Sequence, residues 1–399
     1  MSWGEVTLGS IGEFKAGYGF PNSLQGKEVG DYPFAKVGDT SSVARSGEKY
    51  ISSARNFLDK DELSLIKAKT VPVGSILFAK IGEAISQNFR VVTAVEMLID
   101  NNTMGLLPDV SKINVDYLYY FMCGLDLYRY AGATTVPALR KSVLEEIKIP
   151  LPYPDDQEKS LKEQKRIAAI LDKADGIRRK RQQATQLADD FLRSVFLDMF
   201  GDPVTNSKGW KRCKLEDLTS LVTYGLTVRP EYHDEGIPLI SAREIRSGEL
   251  NFDTCPRISK EDFEKLSEKG CPKKGDILFS KTGSIGHCAL VEIDRNFAAT
   301  QNVARIVVNQ KICMPVFLLA LLRTKYFYDL ANREAKGNAV KDLQLGTMKS
   351  FSVYCPPKSV QEKFIGIYDK QLNILSDFGE FGDQDLFKSL SQKAFSGKL

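Results

Sequence analysis

Histidine is almost missing from this chain of 399 residues: only His233 and His287 occur. Two isolated imidazoles are too few for a metal cluster, and each reads as an ordinary surface or core residue. Paired cysteines are also missing. Seven thiols stand at positions 123, 213, 255, 271, 288, 313 and 355, an odd number with no C-x-x-C pair. Scattered free thiols in a reducing cytoplasm fit this pattern better than a disulfide frame or a cysteine zinc site. Long apolar runs do not occur. The longest, Val316 to Leu322, is far too short to span a bilayer, and the opening MSWGEVTLGSIGEF lacks the apolar core of a signal peptide, so a soluble cytoplasmic protein is expected. Thr282-Gly283-Ser284-Ile285-Gly286 is glycine-rich but lacks the G-x-x-x-x-G-K-[ST] spacing that cradles phosphates. The acids of Pro154-Asp155-Asp156-Gln157-Glu158-Lys159 sit together at a helix start, where aspartates cap, and do not read as nuclease carboxylates.

What is present is one long helical stretch, Gln157 to Met199, with no proline and a single glycine, Gly176. Its small and apolar residues recur in alternating steps of three and four. The series runs Ile167, Ile170, Ala174, Ile177, Arg181, Ala184, Ala188, Phe191, Val195. That rhythm predicts a coiled-coil seam. Gly201 and Pro203 end it. About forty residues at ~1.5 Å each make a helix of roughly 60 Å, longer than a small domain is wide. It therefore serves as a spacer or, alternatively, lies along one globular core. Between Glu158 and Arg181 nine bases face four acids, an excess of five, while the whole chain carries only +4. This points weakly to polyanions and is equally the pattern of a solvated helix face.

The chain is one unit written twice. Gly74-Ser-Ile-Leu-Phe-Ala-Lys80 returns as Gly275-Asp-Ile-Leu-Phe-Ser-Lys281, and Trp3 and Leu8 return as Trp210 and Leu215. Tyr32-Pro33-Phe34 matches Ile237-Pro238-Leu239, and Gln157-Glu158-Lys159 matches Gln361-Glu362-Lys363, always about 200 residues apart. Each copy is a region of about 150 residues with short apolar strands and a helical segment, followed by a long helix. The expected fold is α+β: a first domain over 1–154, a spacer helix over 155–202, a second domain over 203–357 and a closing helix over 358–399. The closing helix keeps the 3-4 rhythm through Phe364, Ile367, Gln371 and Ile374, then meets Gly379 and Gly382, which predict a bend near 379–383. If the two helices pack antiparallel, the domains are related by an approximate two-fold axis, as two-fold proteins that read paired DNA half-sites are.

At this point the sequence resembles the specificity subunit of type I restriction-modification systems. The resemblance rests on Phe191-Leu-Arg-Ser-Val-Phe-Leu-Asp-Met-Phe-Gly-Asp-Pro203, on the closing Gln392-Lys-Ala-Phe-Ser-Gly-Lys-Leu399, and on the paired Gly-x-Ile-Leu-Phe-x-Lys blocks and Pro-rich ends that lead into Gln-Glu-Lys helices. It implies two target-recognition domains on two spacer helices, a subunit without catalysis of its own, and an asymmetric two-part target on double-stranded DNA. It also implies two modification subunits that methylate adenine N6 with S-adenosylmethionine, and restriction subunits that use ATP and Mg, with no cofactor on this chain. The chain has no Asn-Pro-Pro-aromatic run of an adenine methyltransferase.

Candidate DNA-binding residues follow from side-chain chemistry and loop position. Lys80 and Lys281 end apolar strands before glycine loops, from which they reach a phosphate or, equally, merely protect an edge strand. Gln87, Asn88, Gln301 and Asn302 offer amides for adenine, and Arg45, Arg90, Arg140, Arg229, Arg243, Arg246 and Arg305 offer guanidinium groups for guanine. Thr282, Ser284 and Lys341 lie in neighbouring loops. Tyr18 and Tyr224, read as matching positions, face DNA or pack their loops. Ile167, Ile170, Ile177, Phe191, Val195, Phe364, Ile367 and Ile374 form the expected seam. Phe196 and Phe395 at the coil ends are expected to seat partner subunits.

Overall fold

The computed structural model describes residues 2–66, 68–132, 136–226, 230–266, 268–338, 340–377 and 383–399. They form two compact units, residues 1–186 with 378–399, and residues 187–377. Unit 1 holds β1 (Trp3–Thr7), β2 (Gly12–Ala16), β3 (Tyr32–Ala35), β4 (Tyr50–Ile51), β5 (Phe57–Leu58), β6 (Ile76–Ala79), β7 (Val91–Thr93), β8 (Leu98–Ile99), β9 (Thr103–Pro108) and β10 (Lys148–Pro152). Unit 2 repeats the set with β11 (Arg212–Lys214), β12 (Thr219–Tyr224), β13 (Ile237–Ile240), β14 (Arg257–Ile258), β15 (Ile277–Ser280), β16 (Cys288–Leu290), β17 (Ala298–Ala299), β18 (Val303–Val308) and β19 (Ser352–Tyr354).

The sheets repeat too. The largest has the order β2-β9-β6-β7-β4 in unit 1 and β12-β18-β15-β16 in unit 2. A three-stranded sheet, β5-β3-β8 or β14-β13-β17, and a pair, β1-β10 or β11-β19, complete each unit. The Gly-x-Ile-Leu-Phe blocks form β6 and β15, whose Ile, Leu and Phe are all buried. Gly74 and Gly275 turn the chain into them at φ +83° and +92°, a region that favours glycine. At Gly17 and Gly225 the chain crosses the end of β8 or β17 so closely that a Cβ would stand 1.8 Å from the carbonyl oxygen of Asp100 or Ala299. These two glycines are therefore structural equivalents, and Tyr18 corresponds to Leu226, not to Tyr224. Tyr224 instead ends β12 opposite Ala304, as Ala16 ends β2 opposite Met104.

The long helix runs from Gln157 to Phe200. In unit 1 it buries Ile167, Ala168, Leu171, Ala174 and Asp175. Arg166 meets the carbonyl of Leu399, and Arg178 lies over the ring of Phe387, so the Asp383–Phe395 helix runs antiparallel to it. In unit 2 the same helix buries Phe196 and Phe200 against Phe317 and Phe364, with ring centroids 4.9–5.9 Å apart. There the Lys358–Asp377 helix passes antiparallel, Phe364 beside Phe196 and Tyr368 towards Asp189.

The buried stripe is wider than a 3-4 seam and partly offset from it. Ile177, Phe191 and Ile374, expected on the seam, are 48%, 54% and 58% exposed, and Ile170, Val195 and Ile367 are half-buried. The reason is that each helical stretch packs on a domain surface as well as on another helix, which selects a broad face at the 3.6 period. Phe196 lies inside the core of its own unit, and Phe395 is half-buried against Tyr117 and Phe121, so neither is a free coil-end surface. The repeat register of the helices also differs from the Gln-Glu-Lys match. Buried Gln361 caps the end of a turn by accepting from Met314 N–H (2.8 Å) and donating to Ile312 O (3.3 Å). In unit 1 that work belongs to Gln164, on Asn114 N–H (2.8 Å) and Lys112 O (3.3 Å), while Gln157 is exposed. Gln157 and Gln164 are seven residues apart, so the sequence match slipped by two helical turns onto a repeated surface pattern. The bend expected near 379–383 falls chiefly on 378–382, outside the described residues.

Candidate nucleic-acid interface

In each unit three chain segments meet at one end of the largest sheet. In unit 1 the turn after β8 places Asn102 so that its carbonyl accepts from Lys80 N–H (2.8 Å). Tyr18 bridges Asp100, and Ile81 bridges Ala138. Leu139 N–H donates to Lys80 O (2.8 Å), which brings Arg140 to the same edge. Unit 2 builds the same corner. Lys281 N–H donates to Asn302 O (2.9 Å), Leu226 bridges Thr300, Thr282 bridges Asp342, and Leu343 N–H donates to Lys281 O (2.7 Å). Gln301, Ser284, Lys341 and Arg140 are exposed here, and Tyr18, Lys80, Thr282 and Asn302 are half-buried.

The turn supplies what sequence reasoning missed. The unit 1 counterpart of Gln301-Asn302 is Asn101-Asn102, which immediately precedes β9 as Gln301-Asn302 precedes β18. The constant offset of about 200 residues would have found it. Asp100 holds its turn by accepting from Thr103 Oγ1 (2.6 Å). Burial raises the Asp100 carboxyl, and the hydrogen bonds from Thr103 and Asn102 oppose that rise.

Other candidates lie elsewhere. Arg45 and Gln87 are exposed and joined, Arg45 Nη2 donating to Gln87 Oε1 at 2.6 Å, with the guanidinium 5.4 Å from the centre of the Phe89 ring. Arg243 and Arg246 are exposed on the 241–248 segment; Arg243 is held by Glu244 (2.8 Å) and by Thr254 O (3.1 Å). Glu244 is below the usual carboxylate range: burial raises it, but hydrogen bonds from Ser241 and Arg243 outweigh burial. Tyr224 is 43% exposed. Arg229 falls outside the described residues.

Four candidates are structural. Arg305 is buried, with Nε 2.6 Å from Asp276 Oδ2 and Nη1 2.6 Å from Glu268 O. Arg90 is buried over Phe78 and donates to Asn88 Oδ1 (2.7 Å) and Leu125 O (3.3 Å). Burial pushes its guanidinium down to about 10, against the opposing pull of Cys123, Tyr119 and Asp126. Asn88, in the left-handed region at φ 54°, spends its amide on Arg90 and on the backbone of Leu127 and Cys123. Lys281 is buried and ion-paired with Asp342. In each case partners distant along the chain, not the sequence neighbourhood, decide where the side chain goes.

Among the described residues no group of His, Cys, Asp and Glu could hold a metal ion, and no helix is long and apolar enough to cross a membrane. The sequence model described as "Type I restriction modification DNA specificity domain" matches residues 1–187 and again 207–378. The chain belongs to that family. Specificity subunits of this family act with DNA and with the other subunits of a restriction-modification system, and are generally not themselves catalytic. Its relatives include the putative type I restriction enzyme specificity subunit S.HindORF215P of Haemophilus influenzae, 22% identical over 87% of this chain and 88% of that one. The type I restriction enzyme EcoBI specificity subunit of Escherichia coli is also 22% identical, over 100% of this chain and 86% of that one. The crystal structure of a type I restriction-modification S subunit from M. genitalium has the same fold, with a TM-score of 0.53, 17% identity, and coverage of 99% and 96% of the two chains.

Proposed function

We propose that this specificity subunit reads an asymmetric, two-part DNA target, one half-site per unit, through the twin corners at the ends of the largest sheets. The single observation that carries the reading is their duplication. The same three segments converge in both units, yet the polar side chains differ: exposed Asn101 and Arg140 with half-buried Tyr18 in one, exposed Gln301, Ser284 and Lys341 in the other. A repeated frame with different polar tips suits two different half-sites, because phosphate contacts set position and base contacts set sequence.

In this reading the chain carries no cofactor. Two modification subunits supply S-adenosylmethionine-dependent methylation of adenine N6, restriction subunits supply ATP- and Mg-dependent cleavage, and the assembly works on double-stranded DNA in the cytoplasm. The test is the methylation pattern of host DNA with the modification subunit held constant. A two-part N6-methyladenine motif should appear only when this chain is present. Exchanging residues 210–357 for those of another specificity subunit should change one half of the motif and leave the other. A pattern indifferent to the chain would refute the reading.

A further inference from the structure

Both corners close on the same main-chain links but with different charge. In unit 2 the hairpin is tied at its base by two hydrogen bonds, Lys336 N–H to Asp342 O (2.9 Å) and Asp342 N–H to Lys336 O (2.8 Å). Gly337, at φ +121°, makes it tight; a Cβ there would stand 2.3 Å from Val340 O. The side chain of Asp342 then reaches the end of β15. Its Oδ1 receives Lys281 Nζ and Thr282 Oγ1, and Gly283 N–H donates to Lys341 O (3.0 Å). Lys281 is 8% exposed, so its charge is committed to this carboxylate. Lys341, one residue before Asp342, is exposed.

Unit 1 repeats the main-chain links. Ile81 bridges Ala138 as Thr282 bridges Asp342, Leu139 N–H binds Lys80 O, and Gly82 N–H binds Pro137 O at 2.8 Å. Ala138 therefore occupies the place of Asp342, and Lys80 the place of Lys281. Among the described residues no carboxylate pairs with Lys80, which is partly exposed.

We infer that Asp342 is a positioning residue for base recognition by unit 2, fixing the Lys336–Lys341 hairpin and withdrawing Lys281 from DNA, whereas Lys80, facing Ala138, is a phosphate contact of unit 1. The two half-sites are thus gripped with unequal charge by one frame. A buried ion pair adds little net stability but fixes one arrangement, and removal of a single partner leaves a buried charge unpaired. An unpaired ammonium at a strand end neutralises a phosphate and releases its counterion, steepening the salt dependence of affinity by about 0.9 in log–log slope. This inference rests on the reading that the twin corners face DNA.

The test uses the chain assembled with its modification subunits. Duplex affinity is measured across a salt series, and the methylated motif is read by sequencing. Ala138→Asp and Lys80→Met should each lower the salt slope by about 0.9 with the motif unchanged. The double variant Lys281→Met/Asp342→Ala removes both charges, so no buried charge is orphaned. It should keep the parental slope but accept additional bases in the unit 2 half-site, with the unit 1 half-site intact. Lys281→Met/Asp342→Asn, in which the amide oxygen still accepts from Thr282 and no charge is left unpaired, should keep the parental unit 2 motif. An unchanged slope in both unit 1 variants, or an unchanged unit 2 motif in the double variant, would overturn the inference. If the exchange of residues 210–357 moves the motif while these variants behave so, the inference alone is wrong. If that exchange moves nothing, the functional reading fails with it.

Discussion

Arg305 and Lys341 show how little residue type says about a role. Both are basic and both belong to unit 2, yet one is sealed against Asp276 and the other is exposed. Arg305→Ala should cost about 3–5 kcal/mol of stability, because it leaves the buried Asp276 carboxylate uncompensated. Lys341→Ala should shift stability by less than about 0.5 kcal/mol. Urea denaturation of the two variants beside the parent chain checks both, and equal losses would contradict the assignment.

A second residue-scale prediction concerns Lys49, which is 2% exposed, binds Asp116 (2.7 Å) and Asp172 (3.0 Å), and lies near the rings of Tyr119 and Tyr120. Burial lowers its ammonium, but the two carboxylates outweigh burial and raise it overall. Burial raises Asp172, but hydrogen bonds from Tyr120 and Lys49 bring it below the usual range. A raised lysine stabilises fully below its ordinary range and loses that contribution as pH climbs through its folded value. A lowered aspartate stabilises above its ordinary range and loses its contribution as pH falls through its folded value. The network should therefore add the same stability across neutral pH and fade at both extremes. The acid-side fade should shrink in Asp172→Asn, as thermal midpoints across a pH series would show.

At the scale of elements, the long helix is defined by what it packs on. Phe364→Ala on the return helix removes a fully buried ring from the four-ring cluster and should cost about 3–5 kcal/mol. Phe191→Ala, on the same long helix that carries Phe196, should cost less than about 0.5 kcal/mol in the isolated chain, since Phe191 is exposed. Chemical denaturation separates the two. A large loss at Phe191 would mean that the 3-4 seam, not the broad stripe, holds the helix. The strands were legible for a simple reason: Gly-x-Ile-Leu-Phe occurs twice, and an apolar run after a positive-φ glycine has few structures open to it. The helix register was not, because Gln-Glu-Lys is a common surface pattern, and only the buried carboxamides of Gln164 and Gln361 show which turns correspond.

At the scale of the molecule, the repeat produces two cores. One gathers Leu8, Phe14, Phe78 and Tyr117 with the first half of the long helix. The other gathers Phe196, Phe200, Phe317 and Phe364. Each unit should therefore open as its own cooperative block. In native-state hydrogen exchange, Phe364→Ala should deprotect β15 and β18 while β6 and β9 keep their protection. A uniform loss across all four strands would show a single cooperative unit instead.

The sequence by itself determined the duplication, the α+β character of each copy, the helices and the family, because repeats and apolar periods survive in one dimension. It also pointed to the strand ends at Lys80, Gln301 and Asn302, since strand ends and glycine turns are local features. Only the tertiary structure decided which of those side chains are free. Arg90, Arg305 and Lys281 look like Arg140 and Lys341 in the sequence, but a buried cation must find partners. Whether Asp276, Asp342 or a backbone carbonyl stands opposite depends on strands far apart along the chain.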